Sequence, residues 1–565
     1  MAEDEKSEEL EHSEEKEISH FEEALGATPE KLGTIDYKPP AKPWMDTPPK
    51  FRKHDYLLPA KKGWLKTLDL PFPRDWSPAD EDWKLPENWK EIFLEGMKDR
   101  LNRHRTFQLF MDICVRCGAC ADKCQFFIGG GDPKNMPVLR AELLRSIYRK
   151  YFTGAGKTLG KIAGGRELTV DVIKELFKYS FQCTECRRCS VFCPYGIDMA
   201  ETTMIARELL LLLGMHVNWA IEPVGKSFIT GNHMGLPPHT IVDLFEFICT
   251  DFYEKTGLKL EPTFNRKGAE ILIIAPSGDY FDERGQVTLA GYMLVLQQLG
   301  VDYTWSTYAS EGGNFGLFTS HEMIKRLNSK MYIEAKRLKV KWILGAECGH
   351  MWRVVNQYMG TVNGPAPFLE EPVSPVTGTK FENAKDTKMV HIAEFTADAI
   401  RHGKLKLDPS RNDHVVATYH DSCNPARAMG IFEEPRYIIK NVCNNFYEMP
   451  ESCIREKTFC CGGGAGLGTD EQLETLLRGN LPRSNAVKYV HDKFGVNRLL
   501  CMCAIDRAVL SMGLEYWCPE VTAGGVHELV ANALVVPGEP PRSIDLRGEP
   551  LKRPIIPGKI AGKEA

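Results

Sequence analysis

The sequence predicts a multidomain α+β protein: an α-helical region built on two four-cysteine runs, followed by a duplicated α/β region. Three observations predict it. Apolar residues recur at helical spacing across 90–250, in ENWKEIFLEGMKDRLNRHRTFQLFMDIC, AELLRSIYRKYF, TVDVIKELFKYSFQC and AETTMIARELLLLLG. From 268 onward, short apolar runs (AEILIIAP, VDYTW, VKWILGA, HVVATYH, NRLLCM) alternate with helical stretches such as VTLAGYMLVLQQLG, the pattern of parallel strands covered by helices. That second region also repeats itself in order: ILIIAPSGD answers VVATYHDSC, YASEGGNFG answers TFCCGGGAG, VKWILGAECGH answers VNRLLCMCAID, and MVHIAEFTADAI answers GGVHELVANAL.

Residues 1–36 read as a disordered acidic tail. Residues 1–50 hold 14 acidic and 6 basic residues, so most of the negative charge is at the front of a chain whose net charge is only −5. A small net charge of this sign argues against nucleic acid as a partner. Residues 37–90 contain ten prolines and five of the ten tryptophans (Trp44, Trp64, Trp76, Trp83, Trp89). Proline keeps such a segment extended and tryptophan gives it large anchors, so it reads as an arm laid over its own body or a partner subunit. The helical domain spans 91–250, the first lobe 268–402 with a long Gly/Pro-rich loop at 353–390, the second lobe 411–540, and a tail 541–565. The N-terminus has no signal-peptide pattern, and 208–225, the most apolar stretch, is interrupted by His216, Asn218 and Glu222. A reducing compartment with metal-bound thiolates fits the 18 cysteines better than disulfides.

Cys114, Cys117, Cys120 and Cys124 form C-x2-C-x2-C-x3-C, and Cys183, Cys186, Cys189 and Cys193 repeat it, followed by Pro194. This spacing wraps three thiolates around one cubane [4Fe–4S] cluster and sends the fourth to the other cluster. One cubane is therefore expected on Cys114, Cys117, Cys120 and Cys193, the other on Cys183, Cys186, Cys189 and Cys124. Zinc favours two separated C-x2-C pairs over four cysteines in eleven residues. The long linker between the runs suggests a helical ferredoxin-type domain. TGAGKT has Tyr151 where a phosphate-binding loop needs glycine, so it is not one.

A third constellation comprises Cys423, the adjacent Cys460–Cys461 before Gly462–Gly464, and Cys501 and Cys503. Adjacent thiolates suit a larger cluster in which neighbours bind different irons, and the glycine run lets backbone come close to it. Cys423 and Cys501 follow predicted strands, where α/β sheets gather their sites. This pattern resembles the Cys-Cys-Gly domain of heterodisulfide reductases. Over residues 90–540 the chain resembles the DsrK-type iron–sulfur subunits of the Dsr membrane complex, a menaquinol-oxidising, heterodisulfide-reductase-like family. His420, Arg427 and the Pro435–Arg436 pair extend the likeness.

The resemblance implies a noncubane [4Fe–4S] cluster in the second lobe, held by Cys423, Cys460, Cys461, Cys501 and Cys503. It implies an oxidoreductase acting on sulfur–sulfur bonds, fed by menaquinol through a haem b partner. The implied substrate is a disulfide or the trisulfide of a small DsrC-like sulfur carrier in dissimilatory sulfur metabolism. The implied place is the cytoplasmic face of the membrane, reached through partner subunits. His350, His420, Arg427 and Arg436 are candidates for guiding or protonating the departing thiolate, and Cys348 for a place near the cluster at the lobe interface. The sequence departs from the family pattern in two places: Ser310–Glu311 replaces Cys-Cys in the first lobe, and Cys501-x-Cys503 replaces C-x2-C. The rival reading is an electron-transfer-only subunit, as in glycolate, lactate or glycerol-3-phosphate oxidoreductases.

Overall fold

In a computed structural model, the structure describes residues 85–556 apart from 218–222, 228–229, 311–312, 356–358, 360–362 and 465–472, together with 559–560 and 563–564. The tail 1–36 and all but the last residues of the arm 37–90 lie outside the described residues. The amphipathic stretch after Pro86 forms two helices, α1 (Trp89–Arg103) and α2 (Arg105–Ile113), broken at His104. The helices α3 (Gln125–Gly130), α4 (Pro137–Phe152), α5 (Val170–Ser180) and α6 (Met199–Leu212) follow. Asp198 caps α6 by accepting from the backbone N–H groups of Ala200 and Glu201, and Thr169 caps α5 through Val172 N–H. Phe93, Met97, Leu144, Ile147, Ile173, Leu176 and Leu209 form the core of this region. GAGKT is part of a short helix capped by Thr153.

After α7 (Pro238–Thr256), the five apolar runs each form a strand. The first sheet holds β1 (Ile271–Ile274), β2 (Tyr303–Trp305), β3 (Trp342–Gly345) and β4 (Met389–His391) in the order β2-β1-β3-β4, all parallel. The helices α8 (Glu283–Gln298), α9 (His321–Leu338), α10 (Gly349–Val354) and α11 (Ile392–Arg401) connect or flank these strands. The second sheet, β5 (Ala417–His420), β6 (Arg498–Cys501) and β7 (Thr522–Gly525), is also parallel. It is packed by α12 (Glu433–Val442), α13 (Leu473–Phe494), α14 (Ala504–Trp517) and α15 (Val526–Ala533). A hairpin of β8 (Arg542–Ile544) and β9 (Pro550–Ile555) ends the chain's larger elements.

One hydrophobic core runs through both sheets, from Phe245 and Ile271 to Tyr419, Leu500 and Val526. Across it, the buried carboxylate of Glu347 accepts from Arg507 (2.6 Å) and pairs with His527 (2.7 Å), while Arg507 also holds Asp279 at 2.7 Å. Buried pairs of this kind cost little only when every partner is present.

Two contacts seat the helical region on the lobes. The helix α3 lies so close to α13 that a Cβ on Gly129 would sit 1.8 Å from the Arg478 carbonyl oxygen, so only glycine fits there. On the other side, His321 at the start of α9 uses both ring nitrogens: Nδ1 is 2.8 Å from Glu208 and Nε2 is 2.8 Å from Glu201, both on α6. His104 stacks on its ring at 4.8 Å, and Arg100 pairs with Glu208 at 3.1 Å. His104, Glu208 and His321 bring ligand-type atoms within 4.8 Å, but the two carboxylates and two cations already balance one another. Burial opposes a charge on His321, yet the two carboxylates raise its pKa to about 10.

Candidate functional site

The two cysteine runs fold alike. In each, the residue two after the first cysteine and the residue after the second take left-handed backbone: Arg116 (φ 58°) and Gly118 (φ 80°) in the first, Glu185 (φ 55°) and Arg187 (φ 63°) in the second. Three of the four are not glycine, so this curl is held against a local conformational cost, as happens at binding loops. The curl points backbone N–H groups at sulfur, as with Glu185 N–H to Cys183 Sγ at 3.3 Å.

The fourth thiols cross between runs. Cys120 is buried beside Cys193 and Cys114, and burial pushes its thiol up to about 11. Cys189, half-buried, lies beside Cys183 and Cys124, and loss of solvation raises its thiol well above the usual range. Cys124, Cys183, Cys186 and Cys189 line one small pocket together with Arg140. A pocket lined by four thiols, with Lys123, Arg140, Arg187 and Arg188 among its other residues, fits an anionic iron–sulfur cluster. The first run reaches the surface at Cys117, with Val115 60% and Tyr195 47% exposed beside the runs, while Cys120 and Cys124 are buried.

The third constellation forms against the second run. Register pairs His420 with Cys501 at the carboxyl ends of β5 and β6. Cys423 begins the π turn Asn424–Ala428 just beyond β5. Cys460 and Cys461 lie in the loop before α13, with the N–H groups of Gly462 and Gly463 each 3.4 Å from their sulfurs. A Cβ on Gly463 would be 2.3 Å from Val509, so this loop is pressed onto α14. The Cys460 thiol takes hydrogen bonds from Cys186, Cys423 and Cys461, which hold its pKa well below the usual thiol range; Thr184 Oγ1 is 3.5 Å away. The same bonds, with burial, raise the other three. A continuous line of thiols thus joins the second run to the Cys-Cys pair.

Cys501 packs in the same buried group as Cys460 and Cys461. Cys503 faces the first lobe, where a Cβ on Gly349 would be 2.9 Å from its sulfur and Cys348 is its neighbour. Ala504 N–H donates to the Glu347 carbonyl at 2.9 Å beside this pair. None of the 18 cysteines is in a disulfide.

The arginines singled out in the sequence hold loops in place. Arg427 donates to the carbonyls of Glu456 (2.8 Å), Thr458 (2.5 Å) and Cys186, tying the turn after Cys423 to the second run. Arg436 grips Asp421 with two bonds of 2.7 and 2.8 Å and also binds Glu448, fixing the approach to Cys423. The side chain of His350 and the pair Glu311–Gly312 lie outside the described residues. His420 is fully buried, its Nε2 3.5 Å from Asp506.

Asp506 was not legible in the sequence. Burial alone would raise its pKa, but His420 and hydrogen bonds from Cys461 and Ser422 hold it below the usual carboxylate value. Its only sequence signal is its place three residues after Cys503, in the first turn of α14. Also unforeseen is Glu185, buried between Arg207 (3.2 Å) and Arg353 (2.8 Å), the latter from the first lobe.

Residues 110–197 match the family model of the 4Fe-4S dicluster domain. The chain is 51% identical over 532 residues, 88% of its length and 96% of the relative's, to the Hdr-like menaquinol oxidoreductase iron-sulfur subunit 2 of Archaeoglobus fulgidus. It belongs to the Hdr-like menaquinol oxidoreductase iron–sulfur subunits. An Archaeoglobus profundus member is 49% identical over 493 residues, 84% of this chain and 88% of its own. A dihydromethanophenazine:CoB–CoM heterodisulfide reductase chain of Methanosarcina acetivorans is 26% identical over 433 residues, covering 75% and 94%. This Hdr-like protein is therefore an iron–sulfur oxidoreductase component with a 4Fe–4S dicluster domain, as the cysteine runs and the Cys-Cys-Gly resemblance lead one to expect. Among the described residues, no helix is long and apolar enough to cross a membrane.

Proposed function

We propose that this chain is the catalytic iron–sulfur subunit of a membrane-associated complex that reduces a sulfur–sulfur bond with electrons from menaquinol. The observation that carries the reading is the line of thiols from Cys186 through Cys460 to Cys423 and Cys461. Two cubanes would be held by Cys114, Cys117, Cys120 and Cys193, and by Cys183, Cys186, Cys189 and Cys124. A noncubane [4Fe–4S] cluster would be held by Cys423, Cys460 and Cys461 with Cys501 and Cys503. When bound, such clusters supply one-electron transfer and a thiophilic iron centre.

The chain's own residues set the rest. The exposed edge at Cys117 and Val115 faces a donor subunit, by this reading one carrying haem b. The half-buried second run sits against the third site, with Cys186 hydrogen-bonded to Cys460. The Cys-Cys loop is held by Arg427, Arg188, which donates to the Lys457 carbonyl at 2.9 Å, and Arg483, which donates to the Cys453 carbonyl at 2.8 Å. Asp506 orients the Cys461 thiol. Cys348 borders the site from the first lobe. The two lobes, 268–402 and 411–540, are read as a duplicated Cys-Cys-Gly domain whose first copy has lost its cysteine pair, supported by a parallel sheet in each. The substrate of choice is the trisulfide of a DsrC-like carrier, and the place the cytoplasmic face of the membrane.

The test is anaerobic turnover with a DsrC-type trisulfide and chemically reduced protein. Thiol release is expected from the wild type and absent from Cys461→Ser. Full thiol release by Cys461→Ser would place the reacting site away from the Cys-Cys loop.

A further inference from the structure

Between α4 and α5 the chain makes a tight loop that the cluster chemistry does not use. Its sequence, TGAGKTLGKIAGGR over residues 153–166, holds Lys157, Lys161 and Arg166 and no acid. Glycine sets its path. Thr153 Oγ1 accepts from Gly156 N–H at 3.1 Å, and a Cβ on Gly156 would stand 1.7 Å from the Arg149 carbonyl oxygen, so the short helix Gly154–Leu159 lies directly on the end of α4. Gly160 (φ 54°, ψ −119°) reverses the chain, and Gly165 N–H donates to the Gly160 carbonyl at 2.9 Å to close the loop. Arg166 N–H donates to the Ser146 carbonyl at 3.1 Å, which fixes it to α4.

This tied loop holds apolar side chains outward. Ile162 is 88% exposed, the most of any large apolar side chain among the described residues, and Leu159 is 55% exposed. Lys157 and Lys161 flank them, both exposed, and neither has a carboxylate within ion-pair distance among the described residues. The acids at the loop's base are taken: Glu142 pairs with Arg116, Arg145 and Arg149, Glu167 with Lys150 (2.8 Å), and Glu175 with Arg166 (2.7 Å) and Lys134. Asp171, in the first turn of α5, is the acid left without an ion pair there.

We propose that this loop seats the chain directly on an anionic lipid surface, with Ile162 and Leu159 in the acyl boundary and Lys157 and Lys161 at the headgroups. Two side chains offer far less area than the roughly 800 Å² per partner that a stable protein interface buries. Aliphatic tips flanked by lysines suit the headgroup boundary, because the lysine stem stays with the apolar phase while its ammonium meets a phosphate. The loop also adjoins the first cysteine run, since a Cβ on Gly164 would be 2.9 Å from Arg116 Nη2. On the function proposed above, the edge at Cys117 then lies beside the lipid surface. The lipid contact itself does not depend on that function, and it adds a contact of this chain's own to attachment through partner subunits.

The test is flotation of the anaerobic full chain at low salt with vesicles of phosphatidylcholine alone or of an equal mixture of phosphatidylcholine and phosphatidylglycerol. The wild type is expected to float with the mixed vesicles and to stay behind with phosphatidylcholine alone, and added salt should release it. Replacing Lys157→Gln and Lys161→Gln together should weaken partitioning about 25-fold, at about fivefold per lysine. Ile162→Glu should weaken it at least about tenfold. Hydrogen exchange should slow across 157–165 when the mixed vesicles are present. Equal flotation with both vesicles, none with either, or binding that neither variant weakens would overturn the proposal. Variants that float normally but no longer co-purify with partner subunits would also overturn it, by making the loop a protein contact. Should Ile162→Glu fail to fold, the lysine pair decides. Thiol release is assayed separately without vesicles, so failure of the sulfur chemistry and failure of lipid binding are read apart.

Discussion

The contact of His321 with Glu201 and Glu208 ties the first lobe to the helical domain, and its strength follows from one proton. The imidazole is protonated in the fold up to about pH 10, against 6.5 in an unfolded chain. Its folded pKa is raised, so its stabilising contribution is complete below about pH 6.5 and fades as pH climbs toward 10. At 1.36 kcal/mol per unit, that difference is worth about 5 kcal/mol. His104 and Arg100 also face the pair, and burial keeps His104 below its ordinary value, so it stays neutral over this range. Glu208 is held far below its usual value by the same contact, which is one interaction seen from its other partner. Urea unfolding of the wild type and His321→Gln, run anaerobically from about pH 6.5 to 9.5, measures the contribution. The wild type should be much the more stable at the acid end, with most of the gap closing at the alkaline end. A gap that stays constant, or widens with pH, would refute the assignment of a protonated clasp.

Two further outcomes test how the parts fit. Cys193→Ser should disturb the cluster signal that belongs with Cys114, because Cys193 and Cys114 both lie beside buried Cys120, and spectra that lose only the other cluster would contradict the crossing of the fourth thiols. Gly129→Val should detach α3 from α13, since even a Cβ would stand 1.8 Å from the Arg478 carbonyl, and hydrogen exchange along α13 should rise; unchanged protection there would contradict the close approach.

Local pattern made much of the molecule readable. The cysteine spacing, the five apolar strands and the helical stretches each depend on residues a few positions apart, and the structure has a strand at every one of those five runs. Contacts between distant segments carried no such signal. Cys186 and Cys460 are far apart in sequence and meet where Arg427 and Arg188 tie the second run to the Cys-Cys loop. Arg140 sits in a stretch, PVLRAELL, that reads as ordinary amphipathic helix, and Asp506 as an ordinary first-turn acid. Arg427 and Arg436 were visible as residues but not as supports, because their partners are backbone carbonyls and carboxylates brought in by folding.

Iron content tests the central claim most directly. Anaerobically purified wild type should hold about twelve irons per chain, and Cys461→Ser about eight with both cubane signals retained. About eight irons in the wild type, with Cys423 and Cys460 open to alkylation, would contradict a third cluster at the Cys-Cys loop.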